Sequence, residues 1–356
     1  MVPQLTRAAA PEPTHSAGSG RTAQPATIAS IAAEAGVSVP TVSKVLNGRP
    51  DVAPATRSRI EALLEQHRYR RRKSRGAGGQ RLLDLAFHEL DSAWSIEIIR
   101  GVEEAAAAAG VGVVLSELGG KHRPHQEWLD EILARRPLGV LFVLSSLDAT
   151  QRHQLESRSI PFVVLDTAGE PPDDIPTVGS NNWSGGLSAT RHLLGLGHRR
   201  VAVISGPPDV LCSRARVDGY RSAHDEAGVP IDPALTRYGD FYFDGGYVHG
   251  KALLTLRDRP TAIFAGSDMQ ALGVLRAARE LGLRVPEDLS VVGYDNLPLT
   301  EWLGTALTTV NQPLHDMART ATQMLIDLAD GTALPSRRID LATTLVIRES
   351  TAPPSR

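Results

Sequence analysis

TIASIAAEAGVSVPTVSKVLN, residues Thr27 to Asn47, reads as two short helices joined by a tight turn. Ile28, Ile31, Ala32 and Ala35 recur at helical spacing and supply one apolar face. Thr27 stands where it can cap the first helix, and Gly36 where it can end it in a left-handed conformation. Ser38 caps the second helix, whose first turn tolerates Pro40 because the missing N–H has no helical partner there. Val42, Val45 and Leu46 form its inward face, while Val39, Pro40, Thr41, Ser43, Lys44 and Asn47 point outward or flank it. Short side chains, hydroxyls, an amide and one cation suit close approach to a nucleic-acid groove and its phosphates. An ordinary surface hairpin of alanine-rich helices has the same periodicity, so periodicity alone leaves both readings open.

Upstream, residues 1–24 are rich in Pro, Ala, Ser, Thr and Gly without periodicity and read as a disordered tail. The helical pair opens a domain over residues 25–70. Asn47-Gly48-Arg49-Pro50-Asp51 is a turn, and a third helix begins at Pro54 with Ile60, Leu63 and Leu64 as its core face. Ala53 stands at its cap position and offers no side-chain acceptor, which weakens the cap. A basic run from Arg68 to Arg75 follows, then Gly76-Ala77-Gly78-Gly79, so residues 71–80 read as a basic, glycine-rich linker. Beside a groove-reading hairpin the run is expected to touch phosphates, Arg72 included. A solvated linker is the alternative.

Charge is distributed to match. Residues 1–80 carry 12 Lys and Arg against 5 Asp and Glu, leaving 26 basic against 35 acidic in the rest. A basic head on an acidic body suits a protein that meets a polyanion at one end. The single cysteine, Cys212, cannot form an internal disulfide, and no apolar run is long enough to span a bilayer. The first residues lack the apolar core of a signal peptide, so a cytoplasmic protein is expected. At 356 residues the chain has length for more than one domain.

From Arg81 onward short apolar strands alternate with amphipathic helices. Candidate strands are Leu82–Phe87, Val111–Leu115, Leu138–Leu144, Phe162–Leu165, Val201–Ser205, Ala262–Ala265 and Leu289–Gly293. Ile96–Ala109, Asn182–Leu196, Ser213–Ala227 and Met269–Leu281 fit as helices between them. The alternation predicts α/β structure with parallel sheets, and the length predicts two lobes with a cleft between them. The core spans 81–350, with lobe 1 over about 81–180 and 312–341 and lobe 2 over about 181–311 and 342–350.

Ligands in such sheets sit at the carboxyl ends of strands. The loop after the first strand, His88 to Trp94, offers Asp91 and Trp94. Trp94 is open to two readings, a helix-entry core residue or a ring that stacks on a sugar face. Asp166, Asp268 and Asp295 each follow an apolar strand, and Arg216 lies on the first turns of a helix after a Gly-Pro-Pro turn. Phe241 adds a second ring, and Ser213 and Ser267 add hydroxyls. Carboxylates accept from hydroxyls, arginine donates in a fork, and aromatic faces cover C–H surfaces, so the set suits a polyol. There is no P-loop, no G-x-S-x-G elbow and no metal-spaced His/Cys set, so neither an enzyme nor a cofactor is expected. His122 and His125 have helix-compatible spacing, but Pro124 between them favours a solvated loop.

The order of residues in the opening stretch adds more. Ala32, Ala35, Gly36, Val37, Ser38, Thr41, Val42, Ser43, Lys44, Val45, Leu46 and Asn47 fit A-x-x-A-G-V-S-x-x-T-V-S-[KR]-V-L-N, so the stretch resembles the helix-turn-helix of the lactose-repressor (LacI/GalR) family. The core resembles that family too. Ser213 to Tyr220 resembles S-x-R-x-x-G-[YW], matching it from Arg216 to Tyr220 with Ser213 one residue further upstream, and Arg216 stands at the position that grips the effector in relatives. Val291 to Asp295 matches VVGYD, Ala265 to Gly273 resembles A-[NSG]-D-x-x-A-x-G with Gly266 as one extra residue after Ala265 and Ser267 where many relatives have Asn, and Leu307 to Pro313 is the late crossover LTTVNQP.

The resemblance implies an N-terminal all-α helix-turn-helix domain plus an α/β periplasmic-binding-protein-like core of two doubly wound parallel-sheet lobes. It also implies a homodimer that holds or releases a pseudo-palindromic operator when a small effector closes the cleft. Val39, Pro40 and Lys44 would then face base edges, with Thr27, Ser38, Thr41, Ser43, Asn47 and Arg72 toward the DNA backbone. In relatives a hinge helix inserts a leucine into the minor groove. Here glycines stand where that helix and leucine would sit, so a flexible linker is equally open. The expected effector is a mono- or oligosaccharide. The loop from Phe87 to Ser92 resembles regulators of pentose or plant-polysaccharide use in actinobacteria, a lead towards xylose. The expected function is a repressor of carbohydrate-utilisation genes. The alternatives are a purine-type co-repressed regulator and a cytoplasmic solute-binding protein without DNA function. The tail from Ser350 to Arg356 lacks a heptad pattern, so a dimer is expected rather than a tetramer.

Overall fold

The structure, a computed structural model, describes residues 27–46, 52–67, 81–90, 92–119 and 122–355. It divides into two compact units on either side of residues 75 and 76. The tail, the linker, Asn47, Arg72 and Asp91 lie outside the described residues.

The first unit is three helices: α1 (Ile28–Glu34), α2 (Val39–Leu46) and α3 (Pro54–Gln66). Thr27 and Ser30 form a reciprocal cap on α1: Ser30 N donates to Thr27 Oγ1 at 3.1 Å and Thr27 N to Ser30 Oγ at 2.8 Å. Gly36 takes φ 62°, as the turn requires. Ser38 Oγ accepts from Thr41 N at 3.4 Å and meets Thr41 Oγ1 at 2.8 Å. No side chain caps α3 at Ala53, and Pro54 is its first residue. Ile31, Ala32, Ala35, Val42, Val45, Val52 and Ile60 form one buried cluster, so each helix gives one face to a shared core. His67 closes α3 onto α1 through Glu34, 2.6 Å away.

The second unit starts with β1 (Leu82–Phe87), α4 (Ala93–Ala108), β2 (Gly112–Glu117), α5 (Gln126–Arg135), β3 (Val140–Val143), α6 (Ala149–Ser157), β4 (Phe162–Leu165) and β5 (Thr177–Ser180). It continues with α7 (Asn182–Gly195), β6 (Val201–Ser205), α8 (Leu211–Ala227), β7 (Thr236–Tyr238), α9 (Phe243–Leu254), β8 (Ala262–Ala265), α10 (Asp268–Glu280), β9 (Ser290–Asp295) and β10 (Thr308–Asn311). It closes with α11 (Leu314–Asp330), β11 (Arg338–Leu341) and β12 (Thr344–Val346). The strands form two six-stranded sheets, ordered β11-β5-β4-β3-β1-β2 and β12-β10-β9-β8-β6-β7. Apart from the antiparallel edge strand β12, every pairing is parallel.

Both sheets are covered on both faces because their strands are apolar on both. In β1, β3 and β4, Leu83, Leu85, Phe87, Leu141, Val143, Val163 and Leu165 pack with α4 and α11. Ala86, Val140, Phe142, Phe162 and Val164 alternate with them and pack with α5 and α6. Val201, Val203, Phe264, Val292 and Tyr294 meet α7 and α8, and Ala202, Ile204, Ile263 and Val291 meet α9 and α10. A charged residue interrupts β1: Asp84, which is buried and paired with Arg135.

Several boundaries differ from expectation. Helix α4 begins at Ala93, not Ile96, because Ser92 caps it by accepting from Ser95 N. Strand β2 starts one residue and ends two residues later than expected, β3 is shorter, and β9 runs on to Asp295. The strands β5, β7, β10, β11 and β12 are short and largely polar, and carried no apolar run to mark them. The chain passes between the sheets three times, at residues 181, 312–313 and 342–343. No described helix is long and apolar enough to cross a membrane.

Candidate functional site

A cleft of about 220 Å³ lies between the two sheets. Lobe 1 contributes Phe87, Trp94, His88, His122, Leu144 and Asp166; lobe 2 contributes Arg216, Asp240, Phe241, Tyr242, Ser267 and Asp295. That scale admits a small organic ligand. All of these lie at carboxyl ends of strands or on the loops and helix starts beyond them, as open parallel sheets dictate.

Arg216 is 3 % exposed and held on three sides. Its Nε donates to Asn182 Oδ1 at 2.9 Å, Nη1 to the Gly266 carbonyl, and Nη2 to Gln312 Oε1 at 3.3 Å. Its guanidinium lies 3.6 Å from the Tyr294 ring centroid and 5.3 Å from that of Phe241. Three of five N–H groups are thus used, and the rest remain for a ligand or water. Asp295 faces Arg216 at 3.9 Å, is 4 % exposed, and its Oδ1 finds no hydrogen-bond partner among the described residues. Burial pushes the Asp295 carboxyl well above the ordinary carboxylate range, with Arg216 opposing. Burial likewise raises Asp166, against Arg216 and a 3.0 Å hydrogen bond from Gln312 Nε2. Gln312, at a crossover, therefore joins Asp166 of one lobe to Arg216 of the other.

The backbone is strained here. Leu144, Asp166, Phe241 and Asp295 take φ of 48°, 54°, 70° and 112°, and all four line the cleft. Such conformations cost about 1–3 kcal/mol each and gather at ligand sites. Gly206 makes room for Phe241, whose ring a Cβ at that position would strike.

Of the expected residues, Trp94, Asp166, Arg216, Phe241, Ser267 and Asp295 come together on the lining. Ser213 and Asp268 are not on it, and each has an internal role. Ser213 Oγ donates to the Gly206 carbonyl at 2.9 Å. Asp268 accepts from Leu297 N at 2.7 Å and from Thr309 Oγ1 at 2.6 Å, and burial raises its pKa to about 7. Ser267 caps α10 by accepting from Gln270 N and donates to the Phe241 carbonyl at 2.6 Å. His122 corrects the solvated-loop expectation. It lines the cleft, with its ring centroid 4.2 Å from that of His88, and its Nδ1 donates to the Leu144 carbonyl at 2.9 Å. His125 is exposed and bonds the Gly119 carbonyl.

In the first unit Val39, Pro40 and Lys44 are exposed along α2, Val39 by 45 %. Thr27 and Ser38 are exposed but engaged in caps, and Thr41 and Ser43 are half-buried.

Two family models match this chain: bacterial regulatory proteins of the lacI family over residues 27–72, and a periplasmic binding protein-like domain over 190–351. The HTH-type transcriptional repressor CytR of Escherichia coli strain K12 is 33 % identical over 331 residues, covering 92 % of this chain and 96 % of CytR. A solved complex of the transcriptional regulator CelR with cellobiose superposes with a TM-score of 0.69 at 33 % identity, over 91 % of this chain and 99 % of that one. The lac repressor dimer bound to operator and the anti-inducer ONPF gives 0.68 at 27 % identity, over 92 % and 100 %.

Proposed function

We propose, for a chain that belongs to the lacI family of bacterial regulatory proteins, that it represses carbohydrate-utilisation genes and is controlled by a small sugar held in the cleft. The chain is a DNA-binding transcriptional regulator with an effector-binding core. The sugar reading rests on one observation above the others. Asp295 holds an unpartnered, buried carboxylate oxygen opposite an arginine with N–H groups to spare, and Trp94 and Phe241 supply rings beside them. A neutral polyol completes both groups at once, its hydroxyl donating to Asp295 and accepting from Arg216. Similarity to a regulator solved with cellobiose supports a saccharide.

On this reading the protein works in the cytoplasm as a homodimer, and two helix pairs meet a pseudo-palindromic operator. Val39, Pro40 and Lys44 face base edges, while Thr27, Ser38, Thr41, Ser43, Asn47 and Arg72 serve the backbone. The sugar acts only through unequal affinity for the operator-competent and incompetent forms.

The test is fluorescence anisotropy on labelled DNA from the gene's own upstream region, at one stated salt concentration, with a panel of sugars and purines added. Tight binding that one sugar weakens is expected. Arg216→Ala and Asp295→Ala should bind operator as before and lose the response. A normal response in either variant overturns the cleft assignment, and binding strengthened by a purine makes the protein a co-repressed regulator.

A further inference from the structure

Among the described residues that line the cleft, Arg216 is the only Lys or Arg, whereas Glu89, Asp166, Asp240 and Asp295 are all carboxylates. The arginine is already shared. Its Nε, Nη1 and Nη2 each donate to an oxygen of this chain, and Asp295 and Asp166 both act on its charge. Asp295 stands 3.9 Å from it, and Gln312 joins it to Asp166. Glu89, half-buried, comes from lobe 1, and Asp240, exposed, from lobe 2. Glu89 faces the His88 imidazole at 3.8 Å, a full cation only when protonated.

Open parallel sheets offer anions a second means of capture, the helix starts that follow the strands. Ser92, Val210, Tyr242 and Ser267 line the cleft just before α4, α8, α9 and α10. Each start already answers to a group of this chain. Ser92 accepts from Ser95 N, and Ser267 from Gln270 N. Asp240 accepts from Tyr242 N at 2.9 Å, and Asp244 lies in the first turn of α9. At α8 the Leu211 N donates to the Ala168 carbonyl, and Cys212 beside it feels the charges of Asp166 and Asp295. Burial pushes Asp295 toward its neutral form despite Arg216. A site that disfavours the charge of its own buried carboxylate disfavours a second anion beside it.

We propose that the cleft selects an uncharged saccharide and rejects its phosphate esters and uronic acids, with Glu89 and Asp240 as the residues that set this specificity. The inference deepens the sugar reading and rests on it. A sugar hydroxyl can donate to Asp295, whereas a phosphate dianion or a carboxylate can only accept. An acidic group in this cleft therefore meets carboxylates from both lobes and one arginine that is already engaged.

Glucose, galactose, xylose, ribose and cellobiose are titrated into the full chain by calorimetry, each beside its phosphate monoester, with glucuronic and galacturonic acids added. At least one neutral sugar should give saturable heat. Its acidic counterpart should bind about tenfold more weakly or worse at low salt, the order set by like charges a few ångströms apart in a solvated site. Sodium chloride should narrow that ratio, because it screens exposed charges. The double variant Glu89→Gln/Asp240→Asn should narrow it by about tenfold at low salt, with circular dichroism checking that it folds. An ester or acid that binds as tightly as its neutral parent overturns the proposal and leaves the sugar reading standing. A ratio unchanged in the folded double variant overturns the assignment to Glu89 and Asp240. Saturable heat from neither series sinks the sugar reading, and this proposal with it.

Discussion

Asp295 joins three costs at one residue: a left-handed backbone at φ 112°, near-complete burial and a carboxylate oxygen with no partner. Its carboxyl titrates above the ordinary range because burial disfavours the charge. A hydroxyl donated to Asp295 favours the ionised form, so a bound sugar lowers that pKa and releases a proton from any chain that still holds one. Effector affinity should therefore rise with pH, from the ordinary carboxylate range upward through the raised value. Calorimetry in phosphate and in Tris, whose ionisation enthalpies differ, would read the proton directly. Equal heats in both buffers would show that Asp295 does not change protonation. Asp295→Asn should remove the pH dependence and weaken binding by about tenfold or more. The position of Asp295 was legible in sequence because it ends an apolar strand, and the same logic located Asp166. His122 was not legible: Pro124 beside it speaks of a loop, and only the path of that loop puts the ring under Leu144. Nor was Gln312, since a glutamine in a crossover carries no pattern until both its partners, Asp166 and Arg216, are in place.

Helices α7 and α8 show how an element carries a site residue without touching the ligand. They approach through Gly186 and Gly219. A Cβ on Gly186 would collide with the Arg216 carbonyl, and one on Gly219 with the Trp183 carbonyl. Gly186→Ala should destabilise by about 1–3 kcal/mol through overpacking and, by pushing on the backbone of Arg216, weaken effector binding as well. Gly195→Ala is the control, because a Cβ there meets nothing within 4 Å and alanine favours a helix by up to about 1 kcal/mol. Thermal melts of the two variants should move in opposite directions. If Gly186→Ala melts with the parent, the two helices are not held as closely as the structure has them. Elements of this kind were legible where they were long or apolar: β1, β4, β6 and β8 lie where their apolar runs place them. The strands TVGS of β5, TTVN of β10 and RIDL of β11 escaped because they are short and carry no apolar run: β5 and β10 are buried by their neighbours, β11 is a half-exposed edge, and pairing rather than composition makes them strands.

Across the whole molecule, alternating strands and helices announce two parallel sheets, but not how the chain's end is tied back. The C-terminal segment returns to the start of lobe 2's strands, at the end away from the cleft. Ser350 Oγ donates to the Val291 carbonyl, Ala352 N donates to Ser290 Oγ at 3.0 Å, and His198, 1 % exposed, meets Thr261, Ser290 and the Ala352 carbonyl. Burial lowers the pKa of His198 below 6.5. An unfolded chain then takes up this proton first, so the His198 contribution is complete above 6.5 and is lost as pH falls through the lowered value. Asp268 acts in the other direction. Its pKa is raised from 3.8 to about 7 by burial, so its contribution is complete below 3.8 and is lost as pH rises through about 7. Two variants should therefore diverge from the parent at opposite ends of the scale. The melting temperature of His198→Gln, taken relative to the parent, should climb as pH falls below 6.5. That of Asp268→Asn, which can still accept from Leu297 N and donate to Thr309 Oγ1, should climb as pH rises from about 4 to 7. Parallel curves for parent and Asp268→Asn would mean that the carboxylate is solvated in solution. That result would place water behind the cleft wall, where the structure has a dry hydrogen-bonded carboxyl joining β10 to the start of α10.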